Sequence, residues 1–221
     1  MAEKDKIFVF DLDGTLADTA PALLNAGNQV LRNIGRTPIQ LEQYKGFIGG
    51  GTKKQVEKLL ISTGGIPECG LDFYFNLFQD RYYADPVKDC FLYEGVLELL
   101  EFLKKKGIKS TICTQKFEGS AKKILLHLNI YQYFEGFAYG DSTAVLKPDP
   151  KVFYHSVREL SNGKYFYVGD TTVDLLLAQA VGASFFFHKK GYAPQTAEKA
   201  GVDFSFDSFG ELICHIKKNL A

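Results

Sequence analysis

The stretch KIFVFDLDGT, residues 6–15, decides how this chain folds. Its apolar part, Lys6–Phe10, is typical of a parallel strand that is buried on both faces. Two carboxylates, Asp11 and Asp13, follow at the end of that strand. Alternate residues of an extended chain point to the same side, so we expect both side chains to face one pocket. The alternative is a simple turn, in which Asp and Gly are also common.

Paired carboxylates at the end of a buried strand suit phosphate chemistry. They repel each other unless a cation or a proton lies between them. Mg²⁺ prefers oxygen ligands and accepts phosphate oxygens in its coordination shell. A carboxylate nucleophile can form an aspartyl-phosphate, and a neighbouring carboxyl can act as general acid and base. The stretch therefore predicts a catalytic pair, Asp11 and Asp13, with Mg²⁺ as the cofactor.

Strand and helix patterns alternate through most of the remaining chain. Further apolar runs predict strands at residues 109–113, 134–139, 165–168 and 183–187. Helical spacing predicts helices at residues 96–106, 119–128, 150–160 and 172–181. This alternation favours an α/β fold with a doubly wound parallel sheet between helices. Ligands of such sheets bind beyond the carboxyl ends of the strands, and three of the predicted strands end at Asp11, Thr114 and Asp170.

The region between the first strand and residue 88 has a different pattern. Residues 20–34, 53–62 and 71–83 have helical spacing, and no convincing strand lies among them. We therefore predict a helical insert at residues 18–87. The main domain is then discontinuous, with residues 1–17 and 88–221.

Three weaker signals accompany the aspartate pair. Thr114 has a hydroxyl that can hold a phosphate oxygen, although an N-cap threonine would look the same. Lys147 in LKPDP can neutralise a nucleophile and a phosphate, although alone it is more typical of a surface lysine. Asp170 and Asp174 in GDTTVD can face the same cleft, or can simply stabilise a helix N-terminus.

The composition limits the classes of partner. Lys plus Arg and Asp plus Glu number 26 each, and no basic stripe of a nucleic-acid binder is present. No stretch approaches the roughly 20 apolar residues of a membrane span, and the first residues do not form a signal peptide. The four cysteines form no CxxC pair, which fits a reducing compartment. We expect a cytoplasmic protein without a nucleic-acid or membrane partner.

The motifs, in this order, resemble those of the haloacid dehalogenase superfamily. The resemblance implies a Rossmann-like core with a helical cap inserted after the first strand, and it implies the roles of the site residues. Asp11 attacks the phosphorus, and Asp13 protonates the leaving alcohol and then activates water. Thr114 and Lys147 bind the phosphoryl group. Mg²⁺ is held by Asp11, the backbone carbonyl of Asp13 and Asp170, with Asp174 close by.

Within that superfamily the chain looks most like the phosphoglycolate phosphatase group, whose substrate is a small phosphorylated metabolite. The similarity rests on TLADT at residues 15–19, FIGGGTKKQVEKLL at 47–60, TQK at 114–116, KPDP at 147–150 and Gly191-Tyr192. It implies substrate contacts from Thr15, Gly50, Gly51, Lys53, Gln115 and Lys116. Three departures are Gly50 in a loop that more often reads GNG, Gln115 where TNK is commoner, and Glu94 in place of a proline.

The glycine loop has a physical reason to bind an anion. Three glycines precede a helix that begins near Thr52. The free N–H groups and the dipole of a helix N-terminus attract anions, and Lys53 or Lys54 can assist. A substrate with a carboxylate beside its phosphate suits this loop. A flexible hinge is an equally good explanation of the glycines.

Several other functions remain open. A dehalogenase or a phosphonatase does not need Asp13, which argues against both. A sugar-phosphate mutase and a nucleotide or pyrophosphate phosphatase retain the same residues. A non-catalytic binding protein of this fold is disfavoured because no motif position is damaged. A monomer and a homodimer are both compatible with the sequence.

Overall fold

The computed structural model describes residues 5–160, 163–193 and 201–220. The strands in chain order are β1 Lys6–Phe10, β2 Ala17–Asp18, β3 Phe91–Leu92, β4 Lys109–Cys113, β5 Gly136–Ala138, β6 Lys164–Gly169, β7 Ser184–His188 and β8 Phe204–Phe206. The helices are α1 Ala20–Asn33, α2 Leu41–Lys45, α3 Thr52–Ser62, α4 Gly70–Ala84, α5 Val96–Lys105, α6 Glu118–His127, α7 Pro150–Val157, α8 Thr172–Val181 and α9 Phe209–Asn219.

Six strands form a parallel sheet in the order β5-β4-β1-β6-β7-β8. Strand β1 lies between β4 and β6, with Val9 opposite Thr111 on one side and Tyr167 on the other. The chain builds one half of the sheet from β1 to β5 and then returns to the other side of β1. The carboxyl ends of β4, β1 and β6 therefore meet at one edge, which is where such a sheet binds ligands.

Burial on both faces explains the continuous apolar run of β1. Phe8 and Phe10 pack into the core on one face of the sheet, and Ile7 and Val9 pack into the core on the other. All four side chains are fully buried, as the alternation of an extended chain requires. The predicted α/β fold with a parallel sheet between helices is confirmed.

Helices α1 to α4 pack around an apolar cluster of their own. Tyr44, Val56, Leu59 and Phe78 are fully buried in it. The short strands β2 and β3 pair antiparallel, and they lie where the chain enters and leaves this region. The sequence analysis predicted no strand within residues 18–87, and β2 reaches only the first of these residues.

The predicted elements and the observed ones differ at a few places. The strand predicted at residues 134–139 is limited to Gly136–Ala138, and a 3₁₀ helix at residues 131–133 precedes it. The short helix α2, the edge strand β8 and helix α9 were not predicted. Among the described ranges, no helix is long and apolar enough to cross a membrane.

Candidate active site

A pocket opens at the edge where β4, β1 and β6 end. One side is formed by loops that follow these strands, and the other by the glycine loop and the first turn of α3. The lining residues are Asp11, Asp13, Leu23, Ile48, Gly49, Gly50, Gly51, Thr52, Gln55, Thr114, Gln115, Lys116, Lys147, Thr171 and Val173. The pocket therefore collects most of the residues that the sequence motifs singled out.

Three carboxylates meet at the floor of the pocket. Oxygens of Asp11, Asp170 and Asp174 lie within 4.8 Å of one another, and all three residues are buried. The ammonium of Lys147 lies 3.1 Å from Asp11 Oδ1 and 2.7 Å from Asp174 Oδ1. Three ionised carboxylates against one ammonium leave a net charge of minus two. A divalent cation would cancel this charge, and an all-oxygen donor set suits a hard cation.

Hydrogen bonds fix the positions of two members of this cluster. Asp170 accepts one from the Thr15 hydroxyl at 3.0 Å and one from the backbone N–H of Tyr192 at 2.7 Å. Asp174 Oδ2 accepts from the hydroxyl of Thr171 at 2.6 Å and, in the capping box that starts α8, from the backbone N–H of Thr171 at 3.1 Å. Its other oxygen accepts from the Tyr167 hydroxyl at 3.1 Å. The two carboxylates are therefore fixed before any ligand arrives.

Asp11 is the least satisfied member. Its Oδ1 is buried and has no hydrogen-bond partner, and the Lys147 ammonium at 3.1 Å is an ion-pair neighbour without hydrogen-bond geometry. Burial raises the pKa of Asp11 from 3.8 to about 7; Lys147 opposes this rise, and Asp174 adds to it. Burial, and then Asp174, also raise the pKa of Asp170 well above its usual value. The negative charge of this carboxylate cluster is therefore only partly compensated by its neighbours. A bound cation would compensate the rest, so the cluster has the charge of a cation site without its cation.

Asp13 lies beside the cluster but has different partners. Its Oδ1 accepts a hydrogen bond from the Thr19 hydroxyl and pairs with the Lys116 ammonium at 3.1 Å. Its side chain is 15% exposed and lines the pocket. Lys116 in turn donates to the hydroxyl of Tyr82 at 2.8 Å. Asp11 and Asp13 thus share one pocket in two separate charge environments.

The other predicted phosphate-side residues surround these carboxylates. Thr114 is buried at the end of β4 and lines the pocket. Gln115 also lines it and donates from its side chain to the carbonyl of Lys147 at 2.9 Å. Thr15 contacts Asp170 beneath the pocket and is absent from the lining residues of the described chain.

The predicted contacts of the glycine loop divide into two groups. Gly50 and Gly51 line the pocket. The ammonium of Lys53 instead pairs with Asp72 of α4, with half of its side chain exposed, and it does not line the pocket in the described part of the chain. The reason is the direction of the side chain, because neighbouring residues of a helix point to different sides.

Several site residues were missed by the sequence analysis. Gln55 and Thr171 line the pocket, and Tyr82 and Tyr167 hold its charged groups. Thr171 is the one for which the sequence carried a signal, since a threonine three residues before Asp174 is a capping-box pattern. The tyrosines are not distinguished from core residues by spacing alone.

The fold is a doubly wound α/β sheet, and the candidate site at its edge is built around buried carboxylates. The chain belongs to the haloacid dehalogenase-like hydrolase family, because the model of that family matches residues 8–187. The resemblance that the motifs indicated is thereby confirmed.

Individual relatives are similar over nearly the whole chain. A phosphoglycolate phosphatase of Rhodobacter capsulatus is 36% identical over 205 residues, which cover 92% of this chain and 93% of the relative. One from Cereibacter sphaeroides is 32% identical over 185 residues, covering 83% and 85%. The crystal structure of a predicted phosphoglycolate phosphatase from Haemophilus somnus superposes with a TM-score of 0.86 at 24% identity, covering 97% of this chain and 99% of that one.

Proposed function

We propose that this protein is a magnesium-dependent phosphatase that hydrolyses 2-phosphoglycolate through an aspartyl-phosphate on Asp11. The phosphatase chemistry is that of its family and of relatives named phosphoglycolate phosphatase at 36% and 32% identity. One observation supports the mechanism most strongly. The same pocket holds a carboxylate cluster whose charge is only partly compensated and a separate carboxyl, that of Asp13, which has different partners.

The residues that would hold Mg²⁺ are Asp11, Asp170 and Asp174, together with the backbone carbonyl of Asp13. When bound, the ion neutralises charge on the phosphoryl oxygens. Asp170 is fixed for this role by Thr15 and Tyr192. Asp174 is held by its own helix cap and by Lys147, so it serves either as a direct ligand or as the group that fixes Lys147.

Asp11 is the nucleophile in this proposal. Its carboxylate oxygen attacks phosphorus, the new O–P bond forms, and the bond to the leaving oxygen breaks. Lys147, at 3.1 Å from Asp11, stabilises the negative charge that Asp11 and the phosphoryl group bring together. Burial tends to lower the pKa of Lys147, but Asp11 and Asp174 raise it above its usual value, so the lysine keeps its charge.

Asp13 supplies and removes the proton. Its Oδ1 is engaged by Thr19 and Lys116, so Oδ2 is the oxygen that donates a proton to the departing alkoxide. The resulting carboxylate then takes a proton from water as that water attacks the aspartyl-phosphate, which restores both aspartates. Thr114 and Gln115, at the end of β4, are placed to bind the oxygens of the transferring group.

The glycine loop is proposed to bind the carboxylate of the substrate. The N-terminus of α3 has free N–H groups and lies at the pocket, which Gly50, Gly51 and Thr52 line. Gln55, four-fifths of a turn further along, is only 7% exposed, and its side-chain oxygen has no hydrogen-bond partner. The side-chain NH₂ group of Gln55 can donate to an anion. These donors suit a ligand with a second negative group.

The helical insert, residues 18–87, is proposed to act as a cap on the main domain, residues 1–17 and 88–221. It carries the glycine loop and Gln55, whereas Asp11 and Lys147 belong to the main domain. The substrate then lies between the two, shielded from bulk water. A small phosphorylated metabolite in the cytoplasm is the proposed partner, with either a monomer or a homodimer as the assembly.

The test is phosphate release from a panel of 2-phosphoglycolate, hexose phosphates, nucleotides and pyrophosphate, with Mg²⁺ and then with EDTA. We expect 2-phosphoglycolate to have the highest kcat/KM, and EDTA to abolish turnover. Turnover that is unaffected by EDTA would refute the metal-dependent mechanism. A strong preference for another ester would keep the mechanism and reject the substrate.

A further inference from the structure

A chain of polar contacts joins the helical insert to Asp13. Tyr82 lies in the last turn of α4, and its hydroxyl accepts a hydrogen bond of 2.8 Å from Lys116. The Lys116 ammonium also lies 4.8 Å from the centre of the Tyr82 ring. The same ammonium is 3.1 Å from Asp13 Oδ1. Tyr82 and Lys116 come from separate parts of the chain, and each is at least nine-tenths buried.

In this series of contacts, each residue compensates for the burial of the polar group next to it. A buried ammonium is costly unless it is paired with an opposite charge and hydrogen-bonded, and Asp13 and Tyr82 supply these contacts. A buried tyrosine hydroxyl likewise needs a polar partner. The ring of Tyr82 stacks on Phe78 at 6.0 Å between centroids, and Phe78 is fully buried within the insert. Packing inside the helical insert thus holds the hydroxyl that accepts the hydrogen bond of Lys116.

The consequence for Asp13 is a defined orientation. Its Oδ1 is held by the Thr19 hydroxyl and by the Lys116 ammonium. Among the described residues, no hydrogen bond or ion pair engages Oδ2. A carboxyl group that is held by one oxygen can present only the other oxygen to a ligand. A Lys116 that lost its own support would leave Asp13 free to rotate.

We propose that Tyr82 and Lys116 position Asp13, so that the helical insert controls the direction in which the acid–base carboxyl points. This proposal rests on the function proposed above, and it assigns Tyr82 a role in the reaction without any contact with substrate. Lys116 acts through Asp13, with which its ammonium pairs at 3.1 Å.

The choice of leaving group tests this positioning. 2-Phosphoglycolate releases an alkoxide, which needs a proton from Asp13. Acetyl phosphate is of similar size but releases acetate, a stable anion that needs none. Because kcat/KM includes only the steps up to departure of the first product, loss of Asp13 positioning lowers this constant for the alkyl ester alone. A general loss of folded enzyme lowers both constants equally.

Tyr82→Phe is the most conservative variant, since it removes one hydroxyl and keeps the ring. We expect kcat/KM for 2-phosphoglycolate to fall roughly tenfold, in line with a lost hydrogen bond to a charged group, and that for acetyl phosphate to fall less than about twofold. Lys116→Gln is expected to cost roughly 100-fold with 2-phosphoglycolate, within the range of a lost general acid. Tyr83→Phe, one residue further on the same helix, is the matched control and should leave both constants unchanged.

The double variant separates an indirect role from a direct one. If Tyr82 acts only through Lys116, then adding Tyr82→Phe to Lys116→Gln has no further effect. Multiplicative losses in the double variant, or equal losses with both substrates, would overturn the proposal.

A crystal structure of each variant gives a readout that does not depend on turnover. We expect Asp13 to adopt a second rotamer in Tyr82→Phe and Lys116→Gln but not in Tyr83→Phe. An unmoved Asp13 would refute the positioning even if the enzyme acts on other esters. A wild-type protein that is inactive on every phosphate ester would refute the proposed function instead, and the rotamer of Asp13 would still decide the positioning.

Discussion

Replacing Asp11 by asparagine is expected to stop turnover and, without a divalent cation, to stabilise the fold. The three carboxylates of the cluster share one ammonium, that of Lys147. The variant removes one buried negative charge and leaves Lys147 paired with Asp174 at 2.7 Å. The repulsion within the cluster therefore falls, while the shape of the side chain is unchanged.

The size of the effect follows from the pKa. Burial is the largest cause of the rise of the Asp11 pKa from 3.8 to about 7. A carboxyl whose pKa rises on folding costs stability when it ionises, so this cost is absent below pH 3.8 and complete above about pH 7. The shift corresponds to roughly 4 kcal/mol. Because the buried amide also has a desolvation cost, we expect a gain of about 2–4 kcal/mol, or roughly 5–15 °C in Tm.

The assay is urea unfolding in EDTA at about pH 5 and about pH 8, followed by circular dichroism, for the wild type, Asp11→Asn and Asp80→Asn. Asp80 is exposed on α4 and does not line the pocket in the described chain, so its variant should match the wild type. The Asp11 variant should gain more at the higher pH. Saturating Mg²⁺ should narrow the difference, since a ligand at 100 times its Kd stabilises the wild type by about 2.7 kcal/mol. An Asp11→Asn protein that is less stable than the wild type in EDTA at both pH values would refute the reasoning.

Two further predictions test the support of the site and the contacts of the glycine loop. A Cβ at Gly14, whose φ is +79°, would overlap the carboxylate of Asp170, whereas one at Gly182, with φ +68°, meets nothing within 4 Å. Gly14→Ala should therefore lose Mg²⁺ binding, as measured by calorimetry. Gly182→Ala should retain Mg²⁺ binding and lose only about 1 kcal/mol of stability. Equal Mg²⁺ binding by the two variants would contradict this prediction. Lys53→Ala should leave KM for 2-phosphoglycolate within about twofold, and Gln55→Leu should raise it roughly tenfold, the cost of a lost hydrogen bond to a charged group. The reverse order would show that the loop binds the carboxylate in another way.

Much of the fold was predictable because its signals are local. A parallel strand that is buried on both faces favours a continuous apolar run, and β1, β6 and β7 each have one. Strand β4 instead reads KSTIC and buries Ser110 and Thr111. Strand β8 escaped prediction because it has only three residues at the edge of the sheet. Its run, Phe204–Phe206, is interrupted by a serine and is too short to distinguish from a loop.

The floor of the site was predictable for a topological reason. Strands β4, β1 and β6 are neighbours in the sheet, so residues that follow them meet although they are about 55 to 160 positions apart in the sequence. Thr114 and Asp170 were found in this way. Lys147 was a weak signal in LKPDP, and the resemblance implied its role in binding the phosphoryl group. The sequence therefore indicates these site residues by their position at the ends of predicted strands, of which there are few.

The insert side of the site was not predictable from spacing. Lys53 and Lys54 are adjacent, and only three-dimensional packing shows that Lys53 turns to Asp72 while a Cβ at Gly50 would meet the Lys54 side chain at 3.1 Å. Tyr82 is one of three aromatic residues, with Tyr74 and Phe78, that have the helical spacing of core residues and are buried on α4. Its contact with Lys116 depends on how α4 packs on the main domain, which no local pattern encodes.

The most direct test of the central claim is to trap the phosphoryl group on Asp11. Asp13→Asn retains the nucleophile but lacks the base for the second step, and acetyl phosphate needs no acid in the first step. The Asp13→Asn variant is mixed with acetyl phosphate and Mg²⁺, the reaction is quenched in acid, and the peptides are sequenced by mass spectrometry. We expect one phosphoryl group on Asp11 that hydroxylamine removes. It should be absent from the double variant Asp11→Asn/Asp13→Asn. Hydrolysis of acetyl phosphate with no phosphoryl group on the protein, or a phosphoryl group on a different residue, would contradict the account.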